Sequence, residues 1–138
     1  MANDELSADL EDSLRKLRAA WPSRGWSWDG RLTCLASSFD AELEQRAREA
    51  ALLALPHSWI SGSLASAPGV LRDLATRTGG LRPGQTLFGS KPVGRGHAYG
   101  LWWPWGDNVS ISLRIGLAGP DFGERHNARL RDLFGVSL

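Results

Sequence analysis

Nine residues from Val109 to Leu117 alternate without a break: Val109, Ile111, Leu113, Ile115 and Leu117 are apolar, while Ser110, Ser112, Arg114 and Gly116 lie between them. Successive side chains of a strand point to opposite faces, so a period of two demands a strand with one face in a core. A chain that contains this segment must build a sheet. The segment before it, Ala98 to Trp103, is the partner strand of a hairpin across Pro104-Trp105-Gly106-Asp107-Asn108. That partner carries Trp102 and Trp103 side by side. Adjacent strand residues face opposite ways, so one indole enters the core and the other lies on the far face, near Trp105 at the tip.

The rest of the chain divides into helices and shorter strands. Leu6, Leu10, Leu14 and Leu17 recur at helical spacing, which predicts a helix over 3–20, ended by Pro22. Asp29-Gly30 sits between Trp26-Ser27-Trp28 and Arg31-Leu32-Thr33-Cys34, the pattern of a hairpin with a type I′ turn. The strands of that hairpin are expected near 24–28 and 31–37, with Trp26 and Trp28 sharing one face and Leu32, Cys34 and Ala36 another. A second helix is predicted over 40–55, with Asp40 as N-cap, Leu43, Ala47, Ala50 and Ala54 inward, and Pro56 as its stop. A third runs from Pro68 to Thr78 and is closed by Gly79. Arg82-Pro83-Gly84-Gln85 reads as a type II turn before a short strand, Thr86 to Gly89. A last helix covers 121–134, with Gly135 as its C′ residue.

The expected order is α-β-β-α-α-β-β-β-α. It implies a single α+β domain, a five-stranded antiparallel sheet with flanking helices. That order of elements resembles the roadblock/longin and PAS/GAF groups of folds. The first resemblance implies a dimeric scaffold; the second implies a small ligand held between sheet and helices.

Composition narrows the function classes. The 138 residues carry 16 Lys and Arg against 15 Asp and Glu, a net charge of +1. A dedicated nucleic-acid binder carries a clear basic excess, so none is expected. Residues 1–71 are net −3 and residues 72–138 net +4, a layout that suits contact within one copy or head to tail between copies. No run approaches ~18 apolar residues, so no membrane helix is expected. Residues 1–12 hold five acids and no base, the reverse of a secretory signal. Cys34 is the only cysteine, which excludes an internal disulfide and suits a reducing cytoplasm. Fourteen arginines against two lysines read as a GC-rich bacterial coding bias.

No His-Glu-x-x-His, Cys-x-x-Cys or Gly-x-Ser-x-Gly motif is present. Neither a catalytic set, a cofactor nor a metal site is therefore nominated. Gly94-Arg95-Gly96-His97 reads as a crossing between strands, or as an anion nest helped by Lys91, Arg95 and His97. Cys34 reads as a small core residue and His126 as a core or interface histidine on the apolar side of the last helix. Ser58, Ser61, Ser63 and Ser66 read as loop and capping chemistry. Asn108-Val109-Ser110 has the form of a glycosylation acceptor, without meaning in a cytoplasmic chain.

The seven tryptophans, at 21, 26, 28, 59, 102, 103 and 105, are the unusual feature. They fill a core on both sides of the sheet, or some of them form an exposed patch that docks a partner. Trp and Arg are enriched at binding hot spots. The partner-binding candidates are therefore Trp26, Trp28, Trp103, Trp105, Arg95 and Arg114, with Arg24 and Arg31 nearby. The expected function is a non-enzymatic interaction module, an adaptor, scaffold or regulatory subunit that docks on a larger protein or self-associates. The alternatives are a small-molecule sensor and an enzyme acting on an anionic substrate through Lys91, Arg95 and His97.

Overall fold

The computed structural model describes residues 6–23, 25–107 and 109–137. Helix α1 (Ala8–Ala20) begins at Ser7, whose hydroxyl accepts the Leu10 N–H at 3.2 Å. Asp9 and Glu11 lie in its first turn and Arg18 in its last, the order that suits the helix dipole. Leu6, Leu10, Leu14 and Leu17 are buried, as their spacing requires. Helix α2 (Glu44–Leu52) follows a single 3-10 turn, Ala41–Leu43, and buries Ala47, Ala50 and Ala51. Helix α3 (Gly69–Arg77) buries Leu71, Leu74 and Ala75. Helix α4 (Glu124–Leu133) ends at Gly135, whose φ of +67° lets the Val136 N–H reach back to the Arg131 carbonyl at 2.9 Å.

The strands are β1 (Ser27–Asp29), β2 (Cys34–Asp40), β3 (His57–Trp59), β4 (Thr86–Gly89), β5 (His97–Pro104) and β6 (Ser110–Ala118). They form one antiparallel sheet in the order β1-β2-β6-β5-β4-β3. Among the described residues the fold is α+β, with six strands rather than the expected five. The additional strand is His57-Ser58-Trp59. Three residues cannot show an alternation, and Ser58 among them reads as loop chemistry. It pairs with Leu87–Gly89, and the Trp59 ring lies over Gly89 beside Leu71.

The first hairpin also differs from expectation. Its loop is four residues long, with Asp29 and Cys34 as the closing pair. The Asp29 carboxylate accepts the N–H of Arg31 at 3.0 Å and of Leu32 at 3.3 Å. The left-handed position is Thr33, at φ +58°, and not Gly30. A side-chain acceptor at Asp29 thus replaces the two-residue turn. Leu32 falls in the loop, β2 starts at Cys34, and Asp40 ends that strand without a side-chain cap bond. The second helix accordingly starts at Glu44.

Helices α1, α2 and α4 cover one face of the sheet. Leu14, Leu17, Leu130 and Phe134 pack there with Leu35, Phe39, Phe88, Trp102, Leu113 and Ile115. Helix α3 covers part of the other face, where Leu71, Leu74 and Ala75 meet Cys34, Leu87, Tyr99 and Leu101. The two helices α1 and α4 are tied by polar bonds. Arg129 grips the Glu11 carboxylate through Nε at 2.9 Å and Nη2 at 2.7 Å, and Arg18 donates to the Leu133 carbonyl at 3.0 Å. No helix among the described residues is long and apolar enough to cross a membrane.

Candidate docking surface at the hairpin tip

The β5–β6 hairpin carries three tryptophans, of which Trp105 lies past the paired strands. Trp102 points to the three-helix face and is fully buried, with Phe39 at 5.2 Å and the Arg48 guanidinium at 4.5 Å from its ring. Trp103 points to the other face, packs at the margin of the core that α3 covers, and is half-buried. The register places it opposite Ser112, with Arg114 two residues further on the same side of β6. The Arg114 guanidinium stacks on the Trp103 ring at 4.7 Å. It also donates to Asp29 at 3.4 Å and to the Ser112 hydroxyl at 2.9 Å. Two hydrogen-bond partners therefore hold one guanidinium against one indole face. Burial acts to raise the Asp29 carboxyl, but the N–H groups of Leu32 and Arg31 and the Arg114 charge outweigh it and hold it below the usual range.

The tip itself is ordered by its own chain. The Trp105 N–H donates to the Ser110 carbonyl at 2.9 Å, and Asp107 accepts the N–H groups of Val109 and Ser110 at 2.9 and 3.0 Å. Those two N–H groups hold the Asp107 carboxyl below its ordinary value. The Val109 carbonyl accepts the Ala41 N–H at 2.7 Å, which fixes the tip to the 3-10 turn. On this frame Trp105 is 51% exposed and Val109 58% exposed. The strand begins at Ser110, so Val109 does not take the buried place that the alternation assigned to it. Asn108 lies outside the described residues. Beside Val109, Asp40, Ala41 and Glu42 line a shallow depression of about 230 Å³.

The other candidate residues lie elsewhere. Trp26 precedes β1 rather than sharing it with Trp28. Its ring packs 5.2 Å from Trp21 and 4.7 Å from Phe134. Trp28 is capped by the Arg131 guanidinium at 4.6 Å. Both indoles lie against the three-helix core, away from the face that carries Trp103. Arg95 precedes β5, at the end opposite Trp103 and Trp105. Its Nε donates to Asp121 at 3.2 Å, and its backbone N–H donates to the same carboxylate at 3.4 Å. The loop read as an anion nest thus holds an anion of its own chain. His97 is buried, with Nδ1 2.9 Å from the Ser90 carbonyl, and Lys91 is exposed. The loop does not bring these three side chains to a common point. Arg31 is exposed, 3.9 Å from Asp29, and Arg24 lies outside the described residues.

Cys34 is buried in the same core cluster as Tyr99. Burial, with the Asp29 charge nearby, pushes its thiol up to about 12. Such a thiol is no nucleophile at neutral pH. His126 is buried in the first turn of α4, where Nδ1 accepts the Gly123 N–H at 3.0 Å. Among the described residues no group of three or more His, Cys, Asp or Glu is placed to hold a metal ion. Sequence reasoning missed Asp29 as the clamp of Arg114, and Asp40 and Glu42 as neighbours of Val109. An Asp next to Gly reads as turn chemistry, and the proximity of Asp40 to Val109 comes from β2–β6 pairing.

No family model, no curated protein and no solved structure matches this chain. The tip and the sheet face beside it therefore rest on their own geometry.

Proposed function

We propose that this protein is a non-enzymatic interaction module that docks on a protein partner through the β5–β6 tip. The observation that carries this reading is Trp105, left half in water on a turn fixed by four backbone-to-chain hydrogen bonds. An exposed indole on a backbone that is already fixed leaves less chain to order on binding. Trp103, stacked under Arg114, continues the surface, and tryptophan with arginine is the usual composition of a binding centre. The surface comprises Trp103, Trp105, Val109 and Arg114; Trp26, Trp28 and Arg95 are not part of it.

The sensor alternative draws less support. The space between the sheet and the three helices is filled by Trp102, Phe39, Phe88 and the leucines of α1. The enzyme alternative loses its anchor where Asp121 occupies Arg95 and the Ser90 carbonyl holds His97. The likeness to roadblock/longin and PAS/GAF folds rests on the order of elements alone. A photo-reactive amino acid placed at 105 in living cells tests the docking reading. The expected result is a discrete protein adduct from position 105 and none from Leu52, which is exposed on α2. Equal labelling at both positions, or none at 105, contradicts it.

A further inference from the structure

We infer that the partner presents a basic surface to the tip, so that a cationic patch around an apolar socket is the chemistry this protein recognises. The inference rests on the docking reading above and adds the charge of the partner. Trp105 and Val109 supply the apolar knob. Around it stand three exposed carboxylates: Asp107 in the turn, and Asp40 and Glu42 in the depression that Val109 lines. None of the three forms an ion pair with a described residue, whereas Asp29, Glu44, Asp121 and Asp132 each hold an arginine. Asp107 is kept anionic by two backbone N–H groups. The chain as a whole is net +1, so this concentration of negative charge is local. Rim charges of one sign steer a partner of the other sign and set the salt dependence of binding.

A second copy of the chain is a poor occupant through its own cleft between α1 and α4. Its basic depression between α1 and α4 is lined by Arg15, Arg18 and Arg129. Those guanidiniums are already engaged by Glu11, Asp132 and the Leu133 carbonyl. Little free positive charge remains there to meet Asp40 and Glu42.

Selection of a random peptide library displayed on phage, against the full chain, tests the inference. Three proteins are then compared for each selected peptide: the unaltered chain, Trp105→Ala, and the double variant Asp40→Lys with Glu42→Lys. All altered positions are exposed, and urea midpoints confirm that each variant is folded. The expected peptides carry lysine or arginine around an apolar residue. They bind at least about tenfold more weakly to each variant, and more weakly as salt rises. Peptides that need Trp105 but are neutral or acidic, or that ignore the double variant, overturn the inference and leave the docking reading standing. A selection that yields no peptide dependent on Trp105 removes both. Self-association lost in Trp105→Ala, seen by sedimentation, also overturns the inference, since the occupant is then a second copy.

Discussion

Asp29 shows how much one side chain organises here. Its carboxylate closes the first hairpin through two N–H groups and holds Arg114 against Trp103. Replacement by alanine leaves a half-buried guanidinium and two N–H groups without that acceptor, an expected cost of about 1–3 kcal/mol in urea unfolding. Cys34 gives a second prediction. Its thiol, raised by burial to about 12 against an ordinary 9.0, keeps its proton in the folded state while the unfolded chain loses it. Stability from this group is complete below pH 9 and is lost as pH climbs toward about 12. Native protein at pH 8 should resist a thiol reagent and label only as fast as it opens; rapid labelling would refute the burial argument. Glu11 has the opposite sign. The Arg129 hydrogen bond, working against burial, lowers its carboxyl from an ordinary 4.5. Its stabilisation is present above pH 4.5 and is lost as pH falls below it. Glu11→Ala should cost about 2–3 kcal/mol, and Asp12→Ala, in an exposed pair, under about 1 kcal/mol.

At the scale of elements, the legible parts were those with a repeating pattern. The stripe of α1 and the alternation of β6 each repeat often enough for burial to select one face. Leu14, Leu17, Leu113 and Ile115 are all sealed where the period puts them. The pattern fails where a single side chain or a single neighbour decides. Asp29 converts an apparent two-residue turn into a longer loop, and β3 exists only because β4 is there to pair with it. The candidate surface divides the same way. Adjacent Trp102 and Trp103 must part to opposite faces, so their separation between the two cores follows from the sequence. Whether Trp26 and Trp28 were inside or outside depended on where α1 and α4 land, which no local pattern contains. Gly116 carries a prediction at this scale. Tyr99 lies over it, and a Cβ at 116 would meet the Tyr99 hydroxyl. Gly116→Ala should lower stability by about 1–3 kcal/mol through overpacking, although alanine suits a strand no worse than glycine. An unchanged urea midpoint would show that Tyr99 moves aside freely.

Over the whole molecule the tryptophans separate by purpose. Trp21 and Trp102 are buried, and the Trp21 Nε1 donates to Ser37 at 2.9 Å, which satisfies a polar group under α1. Trp26, Trp28 and Trp59 close the margins of the two cores. Trp103 lies at the margin of the second core under Arg114, and Trp105 is 51% exposed at the tip. Urea unfolding of Trp105→Ala beside Trp102→Ala tests this separation directly and requires no partner. The prediction is a change within about 0.5 kcal/mol at 105 and a loss of about 3–5 kcal/mol at 102. A loss at 105 comparable with that at 102 would make the tip indole a structural element and contradict the docking surface built on it.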